Sequence, residues 1–118
     1  MSTTTITIST HVLDTSLGRP AEGIPATLEH VDAEGVPTLV AWGTTNPDGR
    51  IPALIPTTDE LVPGTYRLCF DVAPYFAASR RQSFFTEICV AFQVAIAPQH
   101  YHVPLLLSPF GYSTYRGS

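Results

Sequence analysis

Residues 65–96 read TYRLCFDVAPYFAASRRQSFFTEICVAFQVAI and contain the two strongest strand patterns of the sequence. Thr65–Val72 and Glu87–Ile96 are rich in aromatic and branched apolar residues, which favour strands. Between them, Pro74–Phe84 carries an alanine pair and two arginines, with an aromatic residue near each end. It is the only stretch of the chain that favours a helix, of roughly two turns. These residues predict a mainly β protein with one short helix.

Towards the N-terminus, residues 4–13 (TTITISTHVL) alternate between polar and apolar side chains, which is the period of a strand with one buried face. One face carries Ile6, Ile8 and Val12, and the other carries Thr7, Ser9 and His11. We expect the first face to join the core and the second to lie outside it.

The other strand patterns follow at short intervals. Gly23–Val31 and Thr38–Asn46 flank a turn at residues 32–35, and Asn46–Gly49 (NPDG) has the composition of a tight turn. Most of the 11 prolines and 8 glycines fall at such turns. Several short strands at this spacing predict an all-β fold, an antiparallel sandwich or barrel, formed by a single domain over residues 1–118.

The last strand pattern, residues 100–108 (HYHVPLLLS), has a mixed outer face. Its apolar face carries Tyr101, Val103, Leu105 and Leu107, and its opposite face carries His100, His102, Pro104 and Leu106. A strand with apolar groups on both faces needs cover on both. Either a neighbouring subunit or the chain's own loops could supply it, and the pattern does not choose between them.

The charge distribution argues against several functions. The chain carries a formal charge of −4, its 6 cations are all arginine, and no basic patch indicates nucleic-acid binding. Only 14% of the residues are charged, which favours a surface partly covered by other subunits. No apolar run is long enough to cross a membrane, and residues 1–10 lack the features of an export signal, so we expect a cytoplasmic location.

The two cysteines, Cys69 and Cys89, both lie within apolar strand patterns. Because a reducing compartment is expected, we predict two small buried thiols and no structural disulfide. Neither cysteine has a histidine beside it in the sequence, so nothing indicates a cysteine nucleophile.

The four histidines are the natural candidates for proton transfer near neutral pH. His100 and His102 point the same way on a strand, and His11 lies on the polar face of the first strand. If the first and last strands are neighbours, three imidazoles converge, either on a metal ion or on a metal-free acid–base site. His30 lies near a turn and is interpreted as a surface residue.

Arg50 and the C-terminal residues are further candidates. Arg50 follows the NPDG turn and is either a solvated rim residue or a guanidinium that binds an oxygen-rich ligand or stabilises an oxyanion. Residues 115–118 (YRGS) follow an apolar strand closely, with Tyr112 and Tyr115 as anchors. If they are ordered, Ser118 offers a hydroxyl and an α-carboxylate to a site. No Gly-x-Ser-x-Gly pattern indicates a serine nucleophile.

The ending HYHVPLLLSPFGYSTYRGS, residues 100–118, resembles the C-terminal signature of the 5-hydroxyisourate hydrolases, the enzymatic relatives of transthyretin. ISTHVLDTSLGRPAEGIPATLE, residues 8–29, resembles their N-terminal signature, and NPDGR and GTYRLCFDV also fit. The resemblance spans nearly the whole chain. Its specific part is YRGS, because true transthyretins end differently.

The resemblance implies a transthyretin-like sandwich of two four-stranded sheets with one short helix. It also implies a homotetramer, a dimer of dimers, with active sites in the channel where the dimers face each other. The positions that match the family's catalytic motif are His11, Arg50, His102 and Ser118. Substrate contacts are expected from Arg50, His100 and Tyr115.

The family's reaction adds water to a ring carbonyl of 5-hydroxyisourate, a product of urate oxidation, and breaks the adjacent C–N bond. We assign His102 as the base and His11 as the group that polarises the substrate or shuttles a proton, and the choice of base between them is open. Arg50 would hold ring oxygens, and the Ser118 carboxylate would orient a histidine or the water. No cofactor or metal is expected, because the carbonyl is already electrophilic. Zinc bound by His11, His100 and His102 is the alternative, and it would inhibit.

Two other functions are alternatives to hydrolysis. A transthyretin-like carrier would hold a small aromatic ligand in the same channel without turnover, and a structural interaction module would not use the histidines at all. The histidines, Arg50 and the YRGS ending favour the hydrolase, because a carrier needs no proton-transfer group.

Overall fold

The computed structural model describes residues 6–56, 61–95 and 99–118, which form two packed β-sheets and one helix. Within these residues the elements are β1 (Thr7–Asp14), β2 (Arg19–Pro20), β3 (Pro25–Val31), β4 (Pro37–Thr44), β5 (Arg50–Ile51), β6 (Ile55–Pro56), β7 (Gly64–Asp71), α1 (Ala73–Ala78), β8 (Glu87–Val94), β9 (His100–Ser108) and β10 (Gly111–Thr114). The predicted all-β sandwich with one short helix is confirmed. Over the same residues, no helix has the length and hydrophobicity needed to cross a membrane.

The first sheet has the strand order β10-β9-β1-β2, with β5 also paired to β1, and the second has the order β6-β4-β3-β7-β8. Each sheet thus has five strands among the described residues instead of the four implied by the resemblance. The additional pairings come from two-residue strands, β2, β5 and β6, that pair with the long strands. The predicted strands that include residues 4, 5 and 96 extend there beyond the described residues.

The core lies between the two sheets and takes one face of each long strand. On the first sheet the buried residues include Ile6, Ile8, Val12, Tyr101, Val103, Leu105 and Leu107. The alternation predicted for β1 and β9 is therefore confirmed, because these are the side chains assigned to the core faces. The same alternation turns the histidines of both strands to the outer face of the sheet.

β1 and β9 are parallel neighbours, although they come from opposite ends of the sequence. Thr7 pairs with His100, and Ser9 pairs with His102. The sheet is thus mixed and not wholly antiparallel. Parallel neighbours need a long connection, and here most of the sequence lies between the two strands. The condition set for converging histidines, adjacent first and last strands, is met.

The helix is shorter than the stretch Pro74–Phe84 suggested. It ends at Ala78, and Arg80 adopts a φ of 58°, a left-handed conformation that cannot continue an α-helix. Arg81 then donates to the fully buried Asp14 carboxylate at 2.7 Å. Burial raises the pKa of Asp14, but hydrogen bonds from Arg81 and two hydroxyl groups outweigh this and hold it well below its usual range. The pair ties the segment after α1 to the end of β1.

Cys69 and Cys89 face each other on β7 and β8, with Cα atoms 4.1 Å apart, and a disulfide joins them. The prediction of two separate buried thiols was wrong, and Cys89 is exposed. Directly opposed residues of antiparallel strands approach closely enough for such a bond. The pairing depends on the strand register, which the spacing of the cysteines in the sequence does not show.

Candidate active site

A cleft of about 390 Å³ opens on the outer face of the first sheet, beside β1, β5 and β9. Its walls are formed by Ser9, Thr10, Arg50, Pro52, His100, His102 and Ser118. Four of the six residues selected from the sequence therefore line one cleft, and polar side chains from three strands and the C-terminal segment meet there.

His102 is half-buried in this cleft, and its Nδ1 lies 2.7 Å from the Ser9 hydroxyl oxygen. Among the described residues its Nε2 has no hydrogen-bond partner, so this nitrogen is available to a ligand. Burial lowers the pKa of His102, and the nearby charges of Arg50, His100 and His11 lower it further. The ring is therefore mainly neutral at pH 7 and able to accept a proton.

His100 uses both ring nitrogens within the protein. Its Nδ1 lies 2.6 Å from Oγ1 of Thr7, and its Nε2 lies 2.8 Å from Oγ of Ser9. An imidazole must give up one of these bonds to ligate a metal ion. Within the described chain, no group of three closely spaced metal-ligating side chains includes a histidine. The arrangement therefore favours an acid–base site over the zinc alternative.

His11 does not line the cleft, but it lies on the same face of β1 as Ser9, close enough for its charge to act on His102. Its Nε2 is 3.0 Å from the backbone carbonyl oxygen of Asp48. Because a carbonyl can only accept, Nε2 donates and carries the ring proton of the neutral form, which leaves a lone pair on Nδ1. His11 also pairs with Arg50 in the β1–β5 register. The turn before Arg50 thus sets the tautomer of His11.

The predicted turn at Asn46–Gly49 is confirmed and holds Arg50 beside the cleft. The side-chain oxygen of Asn46 accepts from the backbone N–H groups of Asp48 and Arg50, at 2.9 and 3.0 Å. Gly49 has a φ of 75°, and a Cβ there would overlap a backbone carbonyl oxygen of β1. Arg50 is exposed, and no carboxylate of the described residues pairs with it. Its guanidinium is available for an oxygen-rich ligand.

The C-terminal residues close one side of the cleft. The Gly117 N–H donates to the backbone carbonyl of His102 at 2.8 Å, and this pairing places Ser118 against the cleft. The Arg116 guanidinium lies over the Tyr101 ring, 4.8 Å from its centroid, and anchors the segment. Ser118 therefore lies where a role in the site requires it, against the cleft wall formed by His102.

Tyr115 does not line the histidine cleft. It lines a second, apolar cleft of about 340 Å³. The other residues of this second cleft are Val90, Ala91, Phe92, Gln93, Tyr101, Val103, Thr114 and Arg116. Tyr115 thus lines a different cleft from the histidines of its own chain, and the substrate contact expected of it stays a prediction.

Thr7, Ser9 and Gly117 were not predicted to be site residues. Thr7 and Ser9 lie on the predicted polar face of β1, so the alternation of side chains already placed them on the same face as His11. Their positions opposite the two histidines of β9 depend on the parallel register. The backbone of Gly117 lies close to the His102 ring, where a Cβ would not fit. In the sequence, only its place within YRGS pointed to a role.

Comparison with known proteins agrees with the fold. A model of the HIUase/Transthyretin family matches residues 8–117. The chain is 46% identical over 111 residues to the 5-hydroxyisourate hydrolase of Salmonella dublin, covering 94% of this chain and 80% of that protein. Its fold is similar to that of Klebsiella pneumoniae 5-hydroxyisourate hydrolase, with a TM-score of 0.78 and 38% identity over 95% of this chain and 93% of that one. It is also similar to sea bream transthyretin in complex with thyroxine, with a TM-score of 0.83 and 32% identity over 93% of both chains.

Proposed function

Since the chain belongs to the HIUase/Transthyretin family, we propose that it is a 5-hydroxyisourate hydrolase, an enzyme of urate degradation that opens its substrate's ring with water. One observation carries the proposal. His102, whose pKa burial and neighbouring charges lower, lies in one cleft with Ser118 and with the Arg50 guanidinium, which pairs with no carboxylate of the described residues. Hydrolysis of a cyclic amide requires a proton acceptor and a partner for the oxyanion, and this cleft supplies both.

The reaction begins with His102. Its Nε2 lone pair accepts a proton from water as the water oxygen attacks the ring carbonyl carbon. The carbonyl electron pair moves to the oxygen, where the Arg50 guanidinium stabilises the negative charge. As the tetrahedral intermediate collapses, the ring C–N bond breaks and the departing nitrogen takes the proton held on Nε2 of His102. The product, 2-oxo-4-hydroxy-4-carboxy-5-ureidoimidazoline, carries the new carboxyl group.

The other residues of the site assist these steps. His11, with a lone pair on Nδ1, polarises the substrate or passes on a proton. Ser118 orients the attacking water or a histidine from the C-terminal side. The Asp48 carbonyl holds the His11 ring, and the hydrogen bond of Gly117 to His102 holds the backbone next to Ser118.

A carrier is the second candidate, because the fold is also similar to a transthyretin solved with thyroxine. The lowered pKa of His102 favours hydrolysis, and so does the Arg50 guanidinium, which has no carboxylate partner among the described residues, since a carrier needs neither group. The test is to generate 5-hydroxyisourate enzymatically from urate and follow its absorbance with and without the protein. We expect decay well above the spontaneous rate. Tight binding of the substrate with decay at the spontaneous rate would identify a carrier and overturn the hydrolase.

The pH profile should show the lowered pKa of His102. The base is active when neutral, so kcat/KM should be constant around pH 7 and fall as the pH decreases through the pKa of His102. Because burial and neighbouring cations lower this pKa from the ordinary 6.5, the midpoint of the fall should lie below pH 6.5. The spontaneous rate, measured in each buffer, is subtracted. A midpoint above pH 6.5 would contradict the assignment of His102 as a base held neutral.

Gly117→Ala should lower kcat by about tenfold to a hundredfold, because small misplacements of catalytic groups cost this much. A Cβ at position 117 would lie 2.5 Å from Cδ2 of His102 and 3.3 Å from Cγ of Pro104. Either the imidazole turns or the segment carrying Ser118 lifts. Gly111→Ala is the matched control, since its Cβ would meet only Ser108 Oγ at 3.7 Å. Equal kcat values for both variants would show that the spacing at Gly117 does not position the base.

We also propose that the enzyme is a homotetramer, a dimer of dimers. β8 and β10 are the outermost strands of their sheets, and free strand edges favour pairing with another chain. The apolar second cleft lies beside these edges, and Phe84, Phe110 and Tyr112 are exposed near them. Light scattering on the purified protein should give four times the chain mass of 12.8 kDa. The cytoplasmic location stays a prediction.

A further inference from the structure

The inference concerns Ser9 and rests on the proposed hydrolase function. We propose that Ser9 is a positioning residue whose hydroxyl selects the tautomer in which His102 can act as a base, and that it relays protons from His102 through His100 to solvent. Neither role follows from assigning His102 as the base.

Ser9 bridges the two histidines of β9. It is only 5% exposed, and its Oγ lies 2.7 Å from Nδ1 of His102 and 2.8 Å from Nε2 of His100. Thr7 extends the row, with Oγ1 at 2.6 Å from Nδ1 of His100. The parallel register places Ser9 opposite His102 and Thr7 opposite His100, so four side chains form one hydrogen-bonded row from the cleft to the exposed His100.

The row can hold only certain proton arrangements. A hydroxyl has one hydrogen, so between two neutral imidazoles Ser9 donates to one ring and accepts from the other. When Ser9 donates to His100, His102 carries its proton on Nδ1 and presents a bare Nε2 to the cleft. When Ser9 donates to His102, Nε2 of His102 carries the proton and cannot accept another. The orientation of one hydroxyl thus decides whether His102 is a base.

The same row gives a proton a way out. Once Nε2 of His102 has taken a proton from water, the Nδ1 proton passes to Ser9 Oγ as the Ser9 proton passes to Nε2 of His100. The Nδ1 proton of His100 then leaves towards Thr7 and solvent. At each step one N–H or O–H bond forms as another breaks, and one proton leaves the row. The row is then in its second arrangement, with the proton on Nε2 of His102. It returns to the first arrangement when Nε2 gives this proton to the departing ring nitrogen and a proton passes back from solvent through His100 and Ser9 to Nδ1. The net proton of each turnover comes from the new carboxyl group, which ionises at neutral pH.

The surrounding charges favour movement of the proton from His102 towards His100, the exposed histidine of the same cleft wall. Arg50 on β5 and His11 on β1 face His102, and Ser118 closes the remaining side. A protonated His102 lies beside the Arg50 guanidinium, whose repulsion favours loss of the proton to the solvent side of the row. His100, at that side, is exposed.

The first test is Ser9→Ala, which removes the shared hydroxyl. We expect kcat for 5-hydroxyisourate to fall by about tenfold or more, with KM changed less than about twofold, because tautomer and proton release are lost and not substrate contacts. Ser9→Thr keeps the hydroxyl and should recover most of kcat. Ser108→Ala is the matched control, since it removes one half-buried hydroxyl hydrogen bond of β9 away from the cleft. It should keep the activity of the unmodified protein.

The second test is His100→Ala, which leaves Ser9 bonded to His102 but removes the imidazole that receives the Ser9 proton. Its kcat should fall, and added imidazole should restore it in a concentration-dependent way, because a small base can enter the exposed space. The unmodified protein should not respond to imidazole, once the effect of imidazole on spontaneous decay is subtracted. A purely structural role for His100 predicts no such rescue.

The relay is overturned if Ser9→Ala keeps the kcat of the unmodified protein, or if His100→Ala is not rescued by imidazole. Should Ser9→Ala not fold, as judged by its melting temperature, the imidazole response of His100→Ala decides the relay. The activity of the unmodified protein is measured separately from that of the variants. If the unmodified protein does not accelerate the decay of 5-hydroxyisourate, the hydrolase function itself is wrong.

Discussion

His102→Ala should lower kcat for 5-hydroxyisourate hydrolysis by about 10²- to 10⁴-fold, the contribution of a well-placed acid–base group. Ser9 holds Nδ1 of His102, and no described residue hydrogen-bonds its Nε2, so this nitrogen is available to a ligand. Loss of the imidazole therefore removes the proton acceptor from the cleft. KM should change little, because a base that acts in the transition state contributes little to ground-state binding. The measurement is the initial rate of absorbance decay across substrate concentrations.

His30→Ala is the control for this variant. His30 lies on β3 in the other sheet, packed edge-on against Tyr66 with ring centroids 5.2 Å apart. It is therefore half-buried and not the simple surface residue that its sequence neighbourhood indicated. We expect His30→Ala to lower the melting temperature and to leave kcat unchanged. A His102→Ala protein as active as His30→Ala would transfer the role of base to His11.

Short sequence patterns were sufficient to predict the placement of much of the site. The alternation in β1 placed His11 on the outer face, the spacing of His100 and His102 put both imidazoles on one side of β9, and the NPDG turn positioned Arg50. Each of these predictions depends on residues a few positions apart. Backbone geometry alone relates such residues, so the sequence contains the information directly.

The features that the sequence did not predict are the ones that depend on register between distant segments. The bridge from Ser9 to His102 requires the parallel pairing of β1 with β9. The disulfide requires Cys69 to face Cys89. Register is determined by the whole core, since a shift of one residue would turn every side chain of a strand to its other face. Both missed features therefore follow from the packing of the complete sandwich.

Arg50 can affect the reaction in two ways, by binding the oxyanion and by lowering the pKa of His102 through its charge. The guanidinium follows a turn that Gly49 and Asn46 hold, and no carboxylate among the described residues neutralises it. Its positive charge also contributes to the lowered pKa of His102, after the larger effect of burial. A change at Arg50 should therefore alter both the height and the pH position of the activity profile.

Arg50→Ala should lower kcat by about 10²- to 10³-fold, as expected on removal of one donor to a developing oxyanion. Without this cation the protonated form of His102 is less disfavoured, so its pKa rises and the acid limb of the remaining activity moves to higher pH. Arg50→Lys keeps the charge but not the planar fork, so it should recover the position of the limb and only part of kcat. Arg19→Ala, which removes an exposed cation on β2, is the control and should change neither. An Arg50→Ala profile with full height would remove Arg50 from oxyanion stabilisation. A reduced profile at the original pH would keep that role but show that the guanidinium does not lower the pKa of His102.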